Sequence, residues 1–302
     1  MCAQPVFSPY AHALSSSDVK IAKCHADDDA AMMAQALRQG RLGQGRTHPN
    51  PPVGAVLVNR GALIAEAHHC WPGGAHAEAA VLQMAEGRAE GGTLYVTLEP
   101  CAHHGKTPPC VDAIIRSGIA RVVIGCLDPN PRVFGAGWRR LQEAGIRIEQ
   151  IGDRSLRAQS TALVLPFQTL TQQHRPWVLA KVATTLTQQI AEHMGQRAAI
   201  SSPESVRVVH RLRDRVDAVM VGSDTVLADD PELTCRLVHP GDAQERQPIR
   251  IVVDSSLRCP PSARVLDVEQ APTWILHGPL VDENKRRNFQ GRDSPGDDAG
   301  RA

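Results

Sequence analysis

Aromatic residues are scarce in this sequence, which has four Phe, four Trp and two Tyr among its 302 residues. Its charges also nearly cancel, since 33 Lys and Arg stand against 32 Asp and Glu. Binding of single-stranded nucleic acid needs a basic groove with aromatic side chains on which bases stack, and an anionic membrane attracts a basic surface. We therefore expect neither nucleic acid nor a membrane surface as a partner, and any anion must be bound by a local site.

Long apolar runs are missing as well. No segment approaches the roughly 18 apolar residues that a membrane-spanning helix requires, and the N-terminus lacks the basic start and continuous apolar stretch of a signal peptide. The eight cysteines are irregularly spaced, unlike the dense pattern of a secreted disulfide scaffold. These absences favour a cytoplasmic protein with reduced thiols.

The length favours two domains. Residues 1–26 read as a loose extension and residues 283–302 as a charged, disordered tail. Between them, short β-rich runs alternate with helical patterns, which is typical of an α/β layer structure. We place the domain boundary near residue 150, so that the domains cover 27–150 and 151–282.

The pattern also predicts individual elements. In the first domain we expect four strands, at 53–58, 93–98, 121–126 and 146–151, and four helices, at 29–42, 77–86, 111–117 and 138–144. A long helix is expected from Asp153 to about Gln173. The second domain is expected to contain strands at 177–184, 216–222, 249–254 and 273–278.

Three side chains of the first domain form a possible zinc ligand set: His76 in "HAEAAVLQ", and Cys101 and Cys110 in "EPCAHHGKTPPC". One nitrogen and two sulfur ligands suit zinc, and three protein ligands leave the fourth tetrahedral position for water. Structural zinc sites usually close with four ligands, commonly arranged as two close pairs. The pattern therefore predicts a catalytic zinc site.

Glu78 indicates which kind of reaction this ligand set could catalyse. A carboxylate two residues after the ligand histidine, in the first turn of a helix, can carry protons without binding the metal. Water activated by the metal would attack an amidine-like ring carbon, and Glu78 would pass a proton to the ring nitrogen and then to the departing amine. The alternative is a structural zinc with a fourth ligand from His69, His103 or His104, which gives Glu78 no role.

At these residues the sequence resembles the zinc-dependent nucleotide deaminase superfamily, and within it the bifunctional deaminase/reductase family of riboflavin biosynthesis. Many deaminases of cytosine or adenine place two residues between the cysteines. The riboflavin family shows the longer spacing found here, together with "THPNPPVGAV", "HHCWPGGAHAE" and "DPNPRVFGAG". The resemblance covers residues 29–150 and implies a cytidine-deaminase-like three-layer domain.

The resemblance also implies a substrate, 2,5-diamino-6-ribosylamino-4(3H)-pyrimidinone 5′-phosphate, which is deaminated at ring carbon 2. It assigns five residues to the substrate pocket, namely Asn50, His69, Lys106, Thr107 and Asp128. Lys106 also fits on physical grounds, because a phosphorylated substrate needs a cation near the metal site.

The second half resembles the reductase domain of the same family, a dihydrofolate-reductase-like α/β domain that uses NADPH to open the ribose ring to ribityl. The segments "TVLADDPELTCR" and "RQPIRIVVDSSLR" carry this resemblance. It assigns substrate contacts to Arg213, Thr225, Asp229 and Arg236. It assigns cofactor contacts to Lys181, Asp229 and Ser255.

The second half also departs from the family. The Ser-Leu-Asp-Gly run that typically follows the Lys-containing strand is replaced by residues 185–188, "TLTQ", and the next hairpin has Arg197 and Ala199 at its polar and tryptophan positions. The family's Gly-rich phosphate-binding stretch and final strands would follow where this chain reads "GRDSPGDDAGRA". We therefore predict a homo-oligomeric protein with a working deaminase and an impaired or repurposed, incomplete reductase-like domain.

Other interpretations stay open at this point. The second domain can retain reduction, or serve only to hold an oligomer together. The chain can be a paralogue that deaminates a related pyrimidine for a secondary metabolite, or a zinc-stabilised scaffold without turnover. A nucleic-acid base deaminase would need more than the single basic cluster "RQGRLGQGR" before Asn50.

Overall fold

Short runs of β-branched and apolar residues form four of the five strands in the first part of the molecule, as the sequence predicts. The computed structural model describes residues 29–105, 107–131, 133–190, 200–237 and 246–289, and the chain divides into two units, Met1–Val178 and Leu179–Ala302. The described elements of the first unit are α1 (Asp29–Leu42), β1 (Gly54–Asn59), β2 (Ala62–His68), α2 (Ala77–Ala85), β3 (Thr93–Leu98), α3 (Cys110–Arg116), β4 (Arg121–Cys126), α4 (Ala136–Glu143), β5 (Arg147–Gln150) and α5 (Arg154–Gln173).

These five strands form one mixed sheet in the order β2-β1-β3-β4-β5. Strand β1 pairs antiparallel with β2 and β3, whereas β3, β4 and β5 run parallel. The sequence did not predict β2, because "ALIAEAH" is rich in Ala and has little β propensity. Its position depends on the two-residue turn at Arg60 and Gly61, whose φ angles of 49° and 75° are those of a tight hairpin.

The sheet is covered on both faces, which gives the expected three-layer arrangement. Alternate side chains of each strand point to opposite faces. One buried cluster joins the sheet to α2, α3 and α4, with Val81, Ile114 and Leu141 at its centre. The other joins it to α1 and α5, through residues such as Leu37 and Leu163.

The division of the chain falls one helix later than the position near residue 150 that we expected. Helix α5 forms where it was predicted, but its Leu163 packs with Met33 and Tyr95 in a core of the first unit, and Val164 packs with Leu98. These contacts assign α5 to the first unit.

The second unit has a smaller sheet of three parallel strands, in the order β6-β7-β8. Its described α-helices and strands are α6 (Pro203–Arg215), β6 (Ala218–Gly222), α7 (Ser223–Asp229), β7 (Ile249–Val253), β8 (Thr273–Leu276) and α8 (Glu283–Arg287). Val226, Val252 and Val265 pack together on one face of this sheet. Within the described ranges, none of the helices combines the length and apolar character needed to cross a membrane.

Two expectations for the second unit differ from the structure. Residues 177–184 belong to no strand, and apolar side chains of this segment such as Val178 and Val182 are exposed, because no described strand pairs with it. Residues 283–287 form α8 instead of disordered tail, since Asp282 accepts a hydrogen bond from the Asn284 N–H at the start of the helix. The rest of the predicted tail, from residue 290, and the predicted extension over 1–26 lie outside the described residues.

Asp29 joins the start of α1 to the sheet. Its carboxylate accepts two hydrogen bonds from the Arg121 guanidinium, at 2.8 and 2.6 Å, and one from the Tyr95 hydroxyl at 2.8 Å. Arg121 also pairs with Glu149 on β5. The Arg121 guanidinium holds the pKa of Asp29 below its usual range, so this network is an electrostatic contribution to the fold of the first unit.

Replacing Asp29 by Asn should lower the free energy of unfolding by about 1 kcal/mol near neutral pH, because charge-assisted hydrogen bonds at a partly exposed site are lost. Since the pKa of Asp29 is depressed in the folded state, the carboxylate stabilises the fold above its unfolded pKa, and this contribution is lost as the pH falls through the folded pKa. Urea unfolding near neutral pH and at pH about 3, with a chelator present throughout, measures the change. The difference between wild type and variant should shrink at the lower pH.

The matched control is Glu143→Gln, which removes an exposed carboxylate from α4. A difference between wild type and Asp29→Asn that is the same at both pH values would contradict this account of the Asp29 network.

Candidate active site and metal centre

The three predicted metal ligands meet at one edge of the first sheet. His76 stands at the N-cap of α2, Cys101 follows β3, and Cys110 opens α3. His76 Nδ1 lies 3.2 Å from Cys110 Sγ and 3.6 Å from Cys101 Sγ, and all three ligand atoms lie within 4.8 Å of one another. Tetrahedral zinc with these ligands places neighbouring donor atoms about 3.5–3.8 Å apart. The residues present therefore fit a zinc ion.

The two cysteine side chains shift each other's pKa in opposite directions. The hydrogen bond from Cys110 lowers the pKa of Cys101 to about 4, and the same contact raises the pKa of Cys110. The backbone N–H of Cys110 also donates to Cys101 Sγ, at 3.3 Å. One thiolate is thus already favoured, and a divalent cation would stabilise the second.

Glu78 lies in the first turn of α2 and is 4% exposed. Burial raises the pKa of its carboxyl group to about 7. Its side chain lines a cavity of about 330 Å³ that also contains His76 and Cys101. A carboxyl group that titrates near neutral pH beside a metal site can both accept and donate a proton.

Four of the five residues expected in the substrate pocket line this same cavity: Asn50, His69, Thr107 and Asp128. The fifth, Lys106, lies outside the described residues. Burial raises the pKa of Asp128 to about 6, and its Oδ1 accepts a hydrogen bond from the Asn130 N–H at 2.8 Å. The structure thus brings the described members of the expected pocket to the metal ligands.

His69 is held in one tautomer by two hydrogen bonds. Its Nδ1 lies 2.9 Å from the Ala75 carbonyl oxygen, which can only accept, so Nδ1 carries the proton. Its Nε2 therefore accepts from the Asn50 amide, at 3.1 Å. Burial lowers the pKa of His69, in agreement with a neutral ring.

These bonds argue against a four-ligand structural zinc. Both ring nitrogens of His69 are engaged, and its ring meets that of His76 edge to face with centroids 5.3 Å apart. In the described part of the chain, the group of close donor atoms does not include His69, His103 or His104. The ligand set with an open fourth position is therefore favoured.

Among the cavity residues that were not predicted from the sequence are one acidic and one aromatic side chain, Glu99 and Phe167. Glu99 lines the cavity as a buried carboxylate, and Phe167 reaches it from α5. Phe167 was missed because α5 was assigned to the second domain. The sequence signal for Glu99 was its position at a strand end, two residues before the ligand Cys101.

The residues assigned to the second unit lie on several of its elements. Arg213 on α6 donates to the Thr234 carbonyl oxygen at 2.8 Å. Burial, and then the charge of Arg236, lower the pKa of Arg213. Because Thr234 lies two residues before Arg236, the hydrogen bond to Thr234 brings Arg213 to the segment that carries Arg236. Arg236 also forms an ion pair with Glu232 at 2.8 Å.

The remaining assigned residues are placed as follows. Thr225 and Asp229 lie on α7, Ser255 follows β7, and Lys181 lies in the exposed segment 177–184.

The segment 185–188, which departs from the family run, forms a tight turn. The Gln188 N–H donates to the Thr185 carbonyl oxygen at 3.0 Å, and Gln188 has a φ of 62°. Gln188 occupies the position at which the family run has its Gly. The left-handed conformation costs a non-Gly residue about 1–2 kcal/mol. The turn is therefore formed in spite of the substitution. Arg197 and Ala199, the other noted departures, lie outside the described residues.

Thr107 contacts the imidazole ring of His76, the expected histidine ligand. Its Oγ1 lies 3.3 Å from His76 Nε2, the ring nitrogen that faces away from the two cysteines. Such a partner fixes the ring of a metal-binding histidine and its tautomer.

Replacing Thr107 by Val should weaken zinc binding about tenfold, because the isosteric side chain cannot hydrogen-bond to the His76 ring. Competition with a chromogenic zinc chelator measures the affinity, and Thr107→Ser, which keeps the hydroxyl group, is the matched control. Equal affinities of the Val variant and wild type would show that the Thr107 contact does not orient the ligand.

Comparison with known proteins identifies a family for each half of the chain. The family described as cytidine and deoxycytidylate deaminase zinc-binding region matches residues 26–126. The family described as RibD C-terminal domain matches residues 176–292. The first match lies within the first unit, and the second match covers most of the second unit.

Relatives match this chain over most of its length. Riboflavin biosynthesis protein RibD of Aquifex aeolicus (strain VF5) is 45% identical over 248 residues, which cover 82% of this chain and 68% of that protein. The protein of the same name from Escherichia coli (strain K12) is 41% identical over 255 residues, with the same two shares of 82% and 68%.

Solved structures agree with this comparison. Acinetobacter baumannii RibD superposes with a TM-score of 0.74 at 34% identity, covering 86% of this chain and 71% of that one. A diaminohydroxyphosphoribosylaminopyrimidine deaminase/5-amino-6-(5-phosphoribosylamino)uracil reductase from Thermotoga maritima gives a TM-score of 0.72 at 40% identity, covering 82% of this chain and 69% of that one.

Proposed function

The chain belongs to the RibD family of riboflavin biosynthesis proteins, and from this membership we propose that its first unit deaminates 2,5-diamino-6-ribosylamino-4(3H)-pyrimidinone 5′-phosphate by hydrolysis. The observation that carries the proposal is the position of buried Glu78 in the same cavity as the zinc ligands His76 and Cys101. A purely structural metal site would not need a buried carboxyl group of raised pKa beside it.

Zinc would be held by His76 Nδ1 and by the sulfur atoms of Cys101 and Cys110. When bound, it supplies the Lewis acidity that activates water for attack on the ring carbon. Thr107 holds the far side of the His76 ring, and the N–H of Cys110 helps to orient the Cys101 sulfur.

Glu78 carries the protons of the reaction in this proposal. Its carboxylate accepts a proton from the attacking water, donates it to the ring nitrogen, and then transfers the second water proton to the departing amine. The oxygen of water replaces the amino group on the ring carbon, and ammonia leaves. The raised pKa of about 7 keeps both forms of Glu78 accessible near neutral pH.

Asn50, His69 and Asp128 provide the polar wall of the cavity that would orient the pyrimidine. His69 uses both of its nitrogens to hold the Asn50 amide and the Ala75 carbonyl, so it fixes the direction in which Asn50 presents its remaining polar atoms. Such fixed groups position a substrate without having to reorganise during the reaction.

Replacing Glu78 by Gln should lower kcat by about 10²–10⁴-fold while zinc content stays unchanged, because the amide cannot carry protons and the ligand atoms are untouched. Steady-state kinetics together with metal analysis tests this. Glu86→Gln, at the exposed far end of the same helix, is the matched control. Undiminished turnover by the Glu78 variant would remove this residue from the mechanism.

NADPH-dependent reduction of the ribosyl side chain is the second candidate activity. The match to the RibD C-terminal domain, over residues 176–292, covers most of the second unit. Ser255 follows β7 at the carboxyl edge of the three parallel strands, where open α/β sheets bind ligands. NADPH would supply the hydride, and the neighbouring cations Arg213 and Arg236 suit a phosphorylated substrate.

One assay separates the two activities. The zinc-loaded protein is incubated with the diaminopyrimidinone ribosyl phosphate, with and without NADPH, and the products are identified by mass spectrometry. We expect deaminated product in both reactions, because hydrolysis needs no reductant. A ribityl product that forms only with NADPH would establish the second activity, whereas its absence would restrict the chain to deamination. Unchanged substrate in both reactions would overturn the proposed deaminase.

We further propose a homo-oligomeric assembly in the cytoplasm. The support for association is the apolar face of the second sheet, where Met220 is 58% and Trp274 is 55% exposed. Parallel sheets are usually covered on both faces.

A further inference from the structure

Glu99 is a buried carboxylate that, among the described residues, accepts hydrogen bonds from one distant segment of the first unit. The residue is 3% exposed. Its Oε2 accepts from the backbone N–H groups of Asp128 at 3.2 Å and Gly135 at 3.0 Å, and its Oε1 accepts from the Trp138 N–H at 3.1 Å. A carboxylate that accepts several backbone N–H bonds is stable in a buried position and holds its donors firmly.

These bonds replace a missing helix cap. Helix α4 begins after Gly135, which has a φ of 72° and offers no side chain to the first N–H groups of the helix. Such groups lack partners within the helix and need an acceptor from elsewhere. Glu99 is that acceptor, although in the sequence it precedes β4 and α4 follows β4.

The start of α4 also packs directly on the peptide that leads to the metal ligand. A Cβ atom added at Gly137 would lie 2.0 Å from the Pro100 carbonyl oxygen, so only Gly fits there. Pro100 lies between Glu99 and Cys101. The segment from Asp128 to Trp138 is therefore anchored at the point where the chain leaves β3 for the zinc ligand.

We infer that Glu99 is a positioning residue for the deaminase reaction, which sets the placement of Asp128 in the cavity relative to the ligand Cys101. The inference rests on the proposed function for its catalytic consequence. It does not give Glu99 a contact with the reacting atoms, since its carboxylate oxygens are used by the three N–H groups. It acts through the backbone that carries Asp128.

The sharpest variant is Glu99→Gln, which keeps the shape of the side chain but places an NH₂ group against N–H donors. At least one of the three bonds must break, so the segment 128–138 should loosen. We expect the KM for the diaminopyrimidinone ribosyl phosphate to rise about tenfold, as for the loss of one hydrogen bond to a charged group. The change in kcat should be smaller, and zinc content should be unchanged because the ligands remain.

The matched control is Glu149→Gln. Glu149 is a partly buried acid of the same unit that pairs with Arg121, and Arg121 begins β4 at the end opposite to the cavity. This variant should lower thermal stability without raising KM. It therefore separates positioning from general destabilisation.

Hydrogen exchange gives a readout that does not depend on the reaction. With the zinc-loaded full chain, peptides covering residues 128–138 should exchange faster in Glu99→Gln than in wild type, and at the wild-type rate in Glu149→Gln. If wild type does not turn over the substrate, the proposed function fails while the exchange experiment still tests the anchoring role of Glu99.

Faster exchange of residues 128–138 together with a raised KM supports the positioning role of Glu99. Wild-type exchange, or faster exchange with an unchanged KM on an active enzyme, overturns it. Loss of zinc with unchanged exchange would also overturn it, because Glu99 would then act on the metal ligands instead. If Glu99→Gln does not fold, Glu99→Asp, which keeps the charge but shortens the reach, is subjected to the same measurements with the same criteria.

Discussion

The site depends on one constraint of the first sheet: strand β1 begins at the same edge at which β2, β3 and β4 end. Leu98 pairs with Cys126 in the parallel register of β3 and β4, so the chain leaves both strands side by side toward Cys101 and Asp128. Gly54 pairs with His68 at the antiparallel join of β1 and β2, which brings Asn50 and His69 to the same edge. A shift of register would separate these side chains and turn each strand over. Sheet pairing therefore determines the composition of the cavity.

Local sequence was sufficient for elements and ligands whose signal is contained in one segment. The helix that begins at Ala77 places His76 at its cap and Glu78 in its first turn, and this spacing could be recognised without a structure. The spacing of Cys101 and Cys110 likewise predicted a ligand pair. The role of Glu99 could not be predicted, because it depends on N–H groups that lie 29 to 39 residues further along the chain.

The same distinction explains the less accurate predictions for the ends of the domains. The apolar residues of 177–184 have strand propensity, but a strand forms only where a partner offers its backbone groups, and no described strand does so. Helix α5 was recognised from its periodicity, whereas its assignment to the first unit depends on where Leu163 and Val164 pack. Periodicity indicates which residues of a helix are buried but not which core buries them.

The acidic groups around the cavity are each held in a different way, and this difference supports the roles proposed for them. Glu99 is held by three backbone N–H groups and has a fixed structural position. Hydrogen bonds from Cys110 and then from His76 lower the pKa of Cys101, which favours binding of a cation. For Glu78, burial outweighs the hydrogen bonds that would favour its charged form, so its pKa rises to about 7. A buried carboxyl group with a raised pKa beside the ligand set suits the proposed role of proton carrier in hydrolytic deamination.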